Sequence, residues 1–162
     1  MKQLESHSVA IGENTFYIRP LPAFKAARLS GELAGIILPI LSGLAPIMGK
    51  IGNGKGLFDV EVDDVVANTV SEAFSSLSGD KLETVLKHLL IEGKNISFEN
   101  PDTGKATLLT EDFANELFCA EVQDMFMLAF EVIRTNYNGF FKRLTARFGS
   151  ATTTEAKKVV RQ

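Results

Sequence analysis

The residues that most resemble a chemical site form the glycine-rich stretch GKIGNGKG at positions 49–56. Gly49, Gly54 and Lys55 match the start of a phosphate-binding loop, in which backbone N–H groups hold phosphates and a following Ser or Thr hydroxyl binds magnesium. Gly56 stands at the hydroxyl position, no strand is predicted before the loop, and no helix opens directly after it. These departures favour a flexible Gly/Lys linker over a nucleotide-binding loop.

Nucleophiles and metal ligands are sparse, since the chain has two histidines and one cysteine. His7 and His88 have no Cys or His at the spacing of a metal site, so His88 is expected at the boundary of an amphipathic helix. Cys119 stands between Phe118 and Ala120 and is expected to pack, although a nearby base would make it a nucleophile. The sequence therefore predicts no catalytic residues, no cofactor and no metal, and hence no enzyme.

Composition is that of a soluble globular protein, with 45% hydrophobic and 23% charged residues in 162. The net charge of −3 argues against a protein that binds nucleic acid over its whole surface. A single cysteine forms no intrachain disulfide and fits a reducing cytoplasm. The first twenty residues lack the apolar core of a signal peptide, so none is expected.

One uncharged stretch, residues 33–49, tests the soluble interpretation. It is at the lower limit of the roughly 17–25 residues that a membrane-spanning helix needs. Pro39 and Pro46 each remove a backbone donor, and a span this short tolerates two such interruptions poorly. We therefore expect burial in the core or in a protein interface, with a membrane-active protein as the alternative.

Two segments have the pattern of β-hairpins. Their strands are predicted at residues 9–11 and 16–18 and at residues 96–98 and 105–108. The connecting residues 12–15 and 100–104 contain Gly and Asn, and the second also contains Pro and Asp, which favour tight turns.

Apolar periodicity predicts helices over most of the remaining chain. The first begins near Ala23, directly after a proline, and is bent by Pro39. Two further helices begin near Asp63 and Asp80, and Thr110 is placed to cap a fourth.

The last predicted helix runs from Glu121 to Phe148, where Gly139 is the single interruption. At 1.5 Å per residue it would be about 42 Å long. The fold class is therefore mainly α (α+β): a helical domain with one or two small β-hairpins and a long C-terminal amphipathic helix. We expect a single domain over residues 1–148 and a mobile tail over residues 149–162.

The long helix is densely aromatic, and its apolar arc is broader than one packing face requires. In one interpretation it is the central helix of the core. In the other, part of the arc faces a partner helix or a second copy. The candidate partner-binding residues are Phe126, Phe130, Ile133, Tyr137, Phe140 and Phe141.

Positive charge accumulates towards the C-terminus. The residues concerned are Lys142, Arg143, Arg147, Lys157, Lys158 and Arg161. The first three are favoured by the dipole at the end of a helix. For the others, a solvated tail and a contact with an acidic partner or RNA both remain open.

Three stretches together resemble one known family, the tail assembly chaperones of long-tailed bacteriophages. FYIRPLPAFKAARLSGEL (16–33) resembles the family's opening, a short strand ending in Arg-Pro followed by a helix. LPILSGLAPIMGKIGNGKG (38–56) is similar to its Ala/Leu/Pro-rich segment with a glycine-rich linker. FEVIRTNYNGFF (130–141) resembles its terminal-helix pattern, Asn-aromatic followed by a Phe pair.

The resemblance implies a non-enzymatic chaperone that binds the tape measure protein and keeps it soluble until tail tube subunits polymerise. It also implies contact with tail tube protein, through a frameshifted longer form, and a location in the host cytoplasm and not in the mature virion. Apolar surface containing Met48, Met125 and Met127 would suit a helical client and would promote self-association. No nucleic acid or membrane partner is expected. The alternative is a structural or adaptor protein that stays in the phage tail.

Overall fold

The computed structural model of the chain describes residues 5–48 and 64–137, with residues 36–48 described in their backbone only. In this part of the chain, the order is two strands, three helices, two strands and two helices. The glycine-rich stretch at 49–56, the predicted end of the last helix and the predicted tail at 149–162 lie outside the described residues.

The first predicted hairpin is confirmed, with strands longer and a turn shorter than expected. Strands β1 (His7–Ile11) and β2 (Asn14–Ile18) are antiparallel, and Ile11 pairs with Asn14. The two-residue connection begins with Gly12 at φ +58°, a left-handed conformation that glycine adopts without a Cβ penalty.

The second predicted hairpin is also confirmed, by strands β3 (Ile96–Glu99) and β4 (Ala106–Leu108). Its turn is closed by the Gly104 N–H, which donates to the Asn100 carbonyl at 2.8 Å. Gly104 has φ +65°, so this turn also uses the freedom of glycine.

The two hairpins join into one antiparallel sheet of order β1-β2-β3-β4. Phe16 of β2 lies opposite Phe98 of β3, and Ile18 lies opposite Ile96. All four side chains are buried, whereas the alternate residues Tyr17 and Ser97 are only half-buried. The period of two therefore gives the sheet one apolar face.

Helix α1 (Ala23–Met48) is longer than predicted. It begins directly after Pro22, whose carbonyl accepts from the Ala26 N–H at 2.9 Å. The helix continues through Pro39 and Pro46, so Pro39 does not end it. An interior proline removes one N–H···O bond, which the remaining bonds of a 26-residue helix outnumber.

Helices α2 (Asp64–Ser75) and α3 (Gly79–Leu90) follow the predicted periodicity. Each buries a stripe at three- and four-residue spacing. The buried residues are Val66, Val70, Ala73 and Phe74 in α2 and Val85, Leu86, Leu89 and Leu90 in α3. Both stripes belong to a single hydrophobic core shared with the sheet.

Helix α4 (Glu111–Leu117) begins as predicted, since the Thr110 hydroxyl accepts from the Phe113 N–H at 3.4 Å. The helix lies against the apolar face of the sheet through two aromatic contacts. The Phe113 ring meets Phe98 edge-on with centroids 5.1 Å apart, and Phe118 stacks on Phe16 at 5.8 Å. A turn at 118–120, with Ala120 at φ +65°, then ends the helix.

The last helix, α5, begins at residue 122 and continues to residue 137, the last described position. Its start agrees with the prediction to within one residue. The predicted continuation to Phe148, and with it the full length of about 42 Å, lies outside the described residues.

Candidate partner-binding surface

The four described members of the predicted partner-binding set all lie in the protein core. Phe126, Phe130, Ile133 and Tyr137 expose 6%, 2%, 0% and 6% of their surface. The Phe126 ring stacks on Phe74 of α2, with centroids 5.3 Å apart and an interplanar angle of 12°. In this conformation these side chains pack within the chain, as the core interpretation of the helix expects. Phe140 and Phe141 lie outside the described residues.

The breadth of the apolar arc follows from the position of α5 at the centre of the fold. Every residue from 128 to 133 is buried, so the middle of the helix has no solvent-facing side. A helix surrounded by other elements is apolar all round. Phe130, which lies off the main stripe, is buried for this reason.

The Asn-Tyr pair near the end of the described helix holds the start of α1. Asn136 Oδ1 accepts from the Leu21 N–H at 2.7 Å, and its Nδ2 donates to the Val132 carbonyl at 2.8 Å. The Tyr137 hydroxyl donates to the Ala26 carbonyl at 2.5 Å. Burial raises the pKa of Tyr137 to about 12. Two of the stretches that carry the family resemblance, residues 16–33 and 130–141, are thus in direct contact.

Glu131 is a buried acid within the same helix. It exposes 5% of its surface, and Arg134 lies 3.3 Å from its carboxylate. Burial raises the pKa of Glu131, while the positive charge of Arg134 and, to a smaller extent, that of His7 lower it. The ion pair with the half-buried Arg134 gives Glu131 a structural role.

Among the described residues, His88 is held by two carboxylates, whereas Cys119 is open to solvent. His88 lies between Glu32 and Glu92, with contacts of 2.7 and 3.4 Å, and joins α3 to α1 at the core boundary as predicted. The expectation that Cys119 packs is wrong: its side chain is exposed. Phe118 takes the buried position at the end of α4, so the next residue in the turn faces solvent. No group of three metal-binding side chains occurs among the described residues.

An apolar depression lies between α3, α4 and the start of α5. We name it the α3–α4 groove. Its apolar residues are Leu82, Leu86, Leu90, Ile91, Ala114 and Met125, and its polar rim includes Glu83, Lys87, Glu111 and Asn115. The cavity measures about 300 Å³.

The rim of the groove is crossed by an ion-pair network. Lys87 Nζ lies 2.8 Å from the Glu83 carboxylate and 3.1 Å from that of Glu111, so it links α3 to α4. Hydrogen bonds to both carboxylates raise the pKa of Lys87, and the bond from Lys87 lowers that of Glu83. This groove was not predicted from the sequence, although the four-residue spacing of Leu82, Leu86 and Leu90 was the available signal.

The methionines and the exposed apolar residues are distributed differently from expectation. Met125 and Met127 are half-buried against the core, and the side chain of Met48 is outside the described set. Among the described residues, the large apolar side chains most open to solvent are Phe24, Val65, Leu108 and Val122, at 94%, 52%, 38% and 49%. No described helix has both the length and the sustained apolar character that crossing a bilayer requires.

Comparison with known proteins places these features in one family. A family model described as phage tail assembly chaperone protein, TAC, matches residues 12–149. The match includes strands β2 to β4 and all five described helices, and with them the α3–α4 groove. Comparison with curated proteins gives no match, and comparison with solved structures gives none either. Because the matched region spans most of the length of the chain, the chain belongs to the phage tail assembly chaperone family.

Proposed function

We propose that this chaperone binds the tape measure protein and keeps it soluble until tail tube subunits polymerise around it. The observation that carries the proposal is the family match over residues 12–149. The described fold is compatible with it, because it combines a rigid core with an apolar groove at the surface. In this proposal the protein works without catalysis or a cofactor, in the host cytoplasm, and is absent from the finished virion.

Co-expression tests the proposal directly. The tape measure protein from the same phage is produced with and without this chain, and its soluble fraction is measured after centrifugation. We expect most of the tape measure protein to be soluble with the chaperone and insoluble without it, and the two proteins to co-purify. An equal soluble fraction in both cultures would contradict the proposal.

The second candidate is a structural or adaptor protein of the phage tail. Such a protein remains in the finished virion. Mass spectrometry of purified virions separates the two. A chaperone is expected to be undetectable, whereas a structural protein is found in a fixed ratio to the tube protein.

The proposal also includes contacts with tail tube protein and with other copies of this chain. We propose contact with tail tube protein through a frameshifted longer form, and client contact by Phe140 and Phe141. We also propose self-association, for which Phe24, exposed over 94% of its surface, is the strongest described support. Light scattering of Phe24→Ser against wild type over a concentration series tests it, and a monomer at all wild-type concentrations would exclude it.

A further inference from the structure

We propose that the α3–α4 groove is the client site and that its occupant is a cationic amphipathic helix. Apolar side chains of the client lie in the groove, and its flanking Lys or Arg residues face the acidic rim. This inference rests on the proposed function, because it names the surface and the chemistry by which the tape measure protein is recognised.

The shape of the groove suits one face of a helix. Leu82, Leu86 and Leu90 lie along α3 at four-residue spacing, so the apolar strip is about 12 Å long at 1.5 Å per residue. A cavity of about 150 Å³ holds a benzene ring. The groove's 300 Å³ therefore has room for about two apolar side chains of that size.

The walls of the groove can adapt to different side chains. Leu86, Leu90 and Ala114 form a buried floor, while Leu82 and Met125 are only half-buried at its sides. Methionine is unbranched and polarizable, so it packs against varied apolar groups. A client that presents many similar helical segments would be bound by such a surface without one fixed sequence.

The negative charge around the groove favours a client that carries positive charge. At the rim, two carboxylates share the single ammonium group of Lys87, which leaves a net charge of about −1. Between Thr110 and Ile133 the sequence has six Asp or Glu residues and no Lys or Arg. Four of them, Glu111, Asp112, Glu116 and Glu121, are exposed on α4 and in the turn after it.

A helix with basic flanks therefore gains attraction on this side, whereas one with acidic flanks is repelled. A helix also satisfies its own backbone hydrogen bonds, which suits a groove lined by side chains and not by a free strand edge.

Peptide binding to the full-length chain tests the proposal. The probe is a labelled 15-residue amphipathic peptide of Leu and Lys, and the matched probe has Glu at every Lys position. We expect the Leu/Lys peptide to bind at least tenfold more tightly, by fluorescence anisotropy, and more weakly as salt is added. Equal affinity for the two peptides would overturn the proposal.

Charge reversal identifies the surface. The double variant Glu83→Lys and Glu111→Lys is expected to lose at least tenfold in affinity for the Leu/Lys peptide and to gain affinity for the Leu/Glu peptide. A circular dichroism spectrum like that of wild type is the check that the variant is folded. Glu13 and Glu72 are exposed and do not line the groove, so the double variant Glu13→Lys and Glu72→Lys, with the same change in net charge, is the matched control. A loss as large in the control would show that general charge, and not the groove, binds the peptide.

Two further variants test whether the groove binds a client helix or the chain's own basic residues. Leu82→Ser removes one apolar wall and is expected to weaken binding of the Leu/Lys peptide, and unchanged binding would overturn the proposal. Lys157→Glu with Lys158→Glu is expected to leave peptide affinity unchanged. A tenfold gain would assign the groove to the chain's own basic residues and would overturn the proposal.

Failure of the groove proposal can be distinguished from failure of the proposed function. If the wild-type chain keeps the tape measure protein soluble and the double charge variant does so equally well, the function stands and the groove is not its site. If the peptide preferences hold but the tape measure protein stays insoluble, the function fails while the groove's preference for cationic helices stands.

Discussion

Aromatic side chains of α5 each hold a different part of the chain. Phe126 stacks on Phe74 of α2, and the Tyr137 hydroxyl donates to Ala26 of α1. Such contacts use both the apolar body and the polar end of an aromatic residue. At the scale of single residues, the predicted partner-binding set is therefore a set of structural anchors wherever it is described.

The first prediction compares two phenylalanines of opposite exposure. Phe126→Ala is expected to lower the free energy of unfolding by about 3–5 kcal/mol, because it removes a buried ring and leaves a cavity. Phe24 exposes 94% of its surface, so Phe24→Ala is expected to change stability by less than about 0.5 kcal/mol. Urea denaturation followed by circular dichroism measures both, and equal losses would contradict the assignment of Phe126 to the core.

The second prediction concerns alkaline pH. The pKa of Tyr137 is raised to about 12 in the folded chain, whereas tyrosine in an unfolded chain titrates near ~10. The folded state thus keeps its proton longer, so the contribution of Tyr137 is fully present below pH ~10 and is lost as the pH rises towards ~12.

Tyr137→Phe has no ionisable group at this position and is expected to lose less stability than wild type between pH 9 and 11. The same substitution at Tyr17 is the control. Urea midpoints at each pH give the measurement, and parallel pH profiles for wild type and Tyr137→Phe would refute the prediction.

At the scale of elements, the turns are determined mainly by local sequence. Both hairpin connections contain a glycine at positive φ, Gly12 and Gly104. Thr110 and the two acids after it satisfy the start of α4, as the residue order predicts. These features need no distant contact, which is why they were predictable.

The third prediction uses the two glycines as a matched pair. Alanine at either site adopts a left-handed conformation at a cost of about 1–2 kcal/mol. A Cβ at Gly104 meets nothing within 4 Å, whereas one at Gly12 crowds the Asp124 carboxylate. We therefore expect Gly12→Ala to destabilise the chain more than Gly104→Ala does, by thermal denaturation. Combining Gly12→Ala with Asp124→Ala should remove the difference, and failure to do so would exclude the contact as its cause.

At the scale of the whole molecule, the pairing of β2 with β3 creates the core. It joins two hairpins that are far apart in the sequence and places Phe16, Ile18, Ile96 and Phe98 on one face. Phe113 of α4 then packs on Phe98 of β3, and α5 contacts α1 and α2. Neither hairpin would bury its apolar face alone.

The fourth prediction follows from that topology. Amides of β2 and β3 that donate across their shared edge are expected to exchange with solvent more slowly than those of β4, which lies at an edge of the sheet. Hydrogen exchange followed by NMR measures this order. Faster exchange in the central strands than in β4 would show that the two hairpins open independently.

Sequence alone determined the elements whose signals are local. These are the two hairpins, the starts of α1 and α4, the buried stripes of α2 and α3, and the family resemblance carried by three short stretches. The helices, strands and turns among them depend on residue spacing or turn chemistry within a window of about 11–18 residues. The same local signals misjudged Cys119, because the exposure of a turn residue depends on the surrounding chain.

Only the tertiary structure decided which apolar surfaces meet and which remain open. The broad arc of α5 is compatible with a core or with a partner until the sheet, α1 and α2 are placed around it. The α3–α4 groove exists because the fold brings together α3 and α4, which the second hairpin separates in the sequence. Burial is a property of the assembled chain, so periodicity identifies an apolar face but not what covers it.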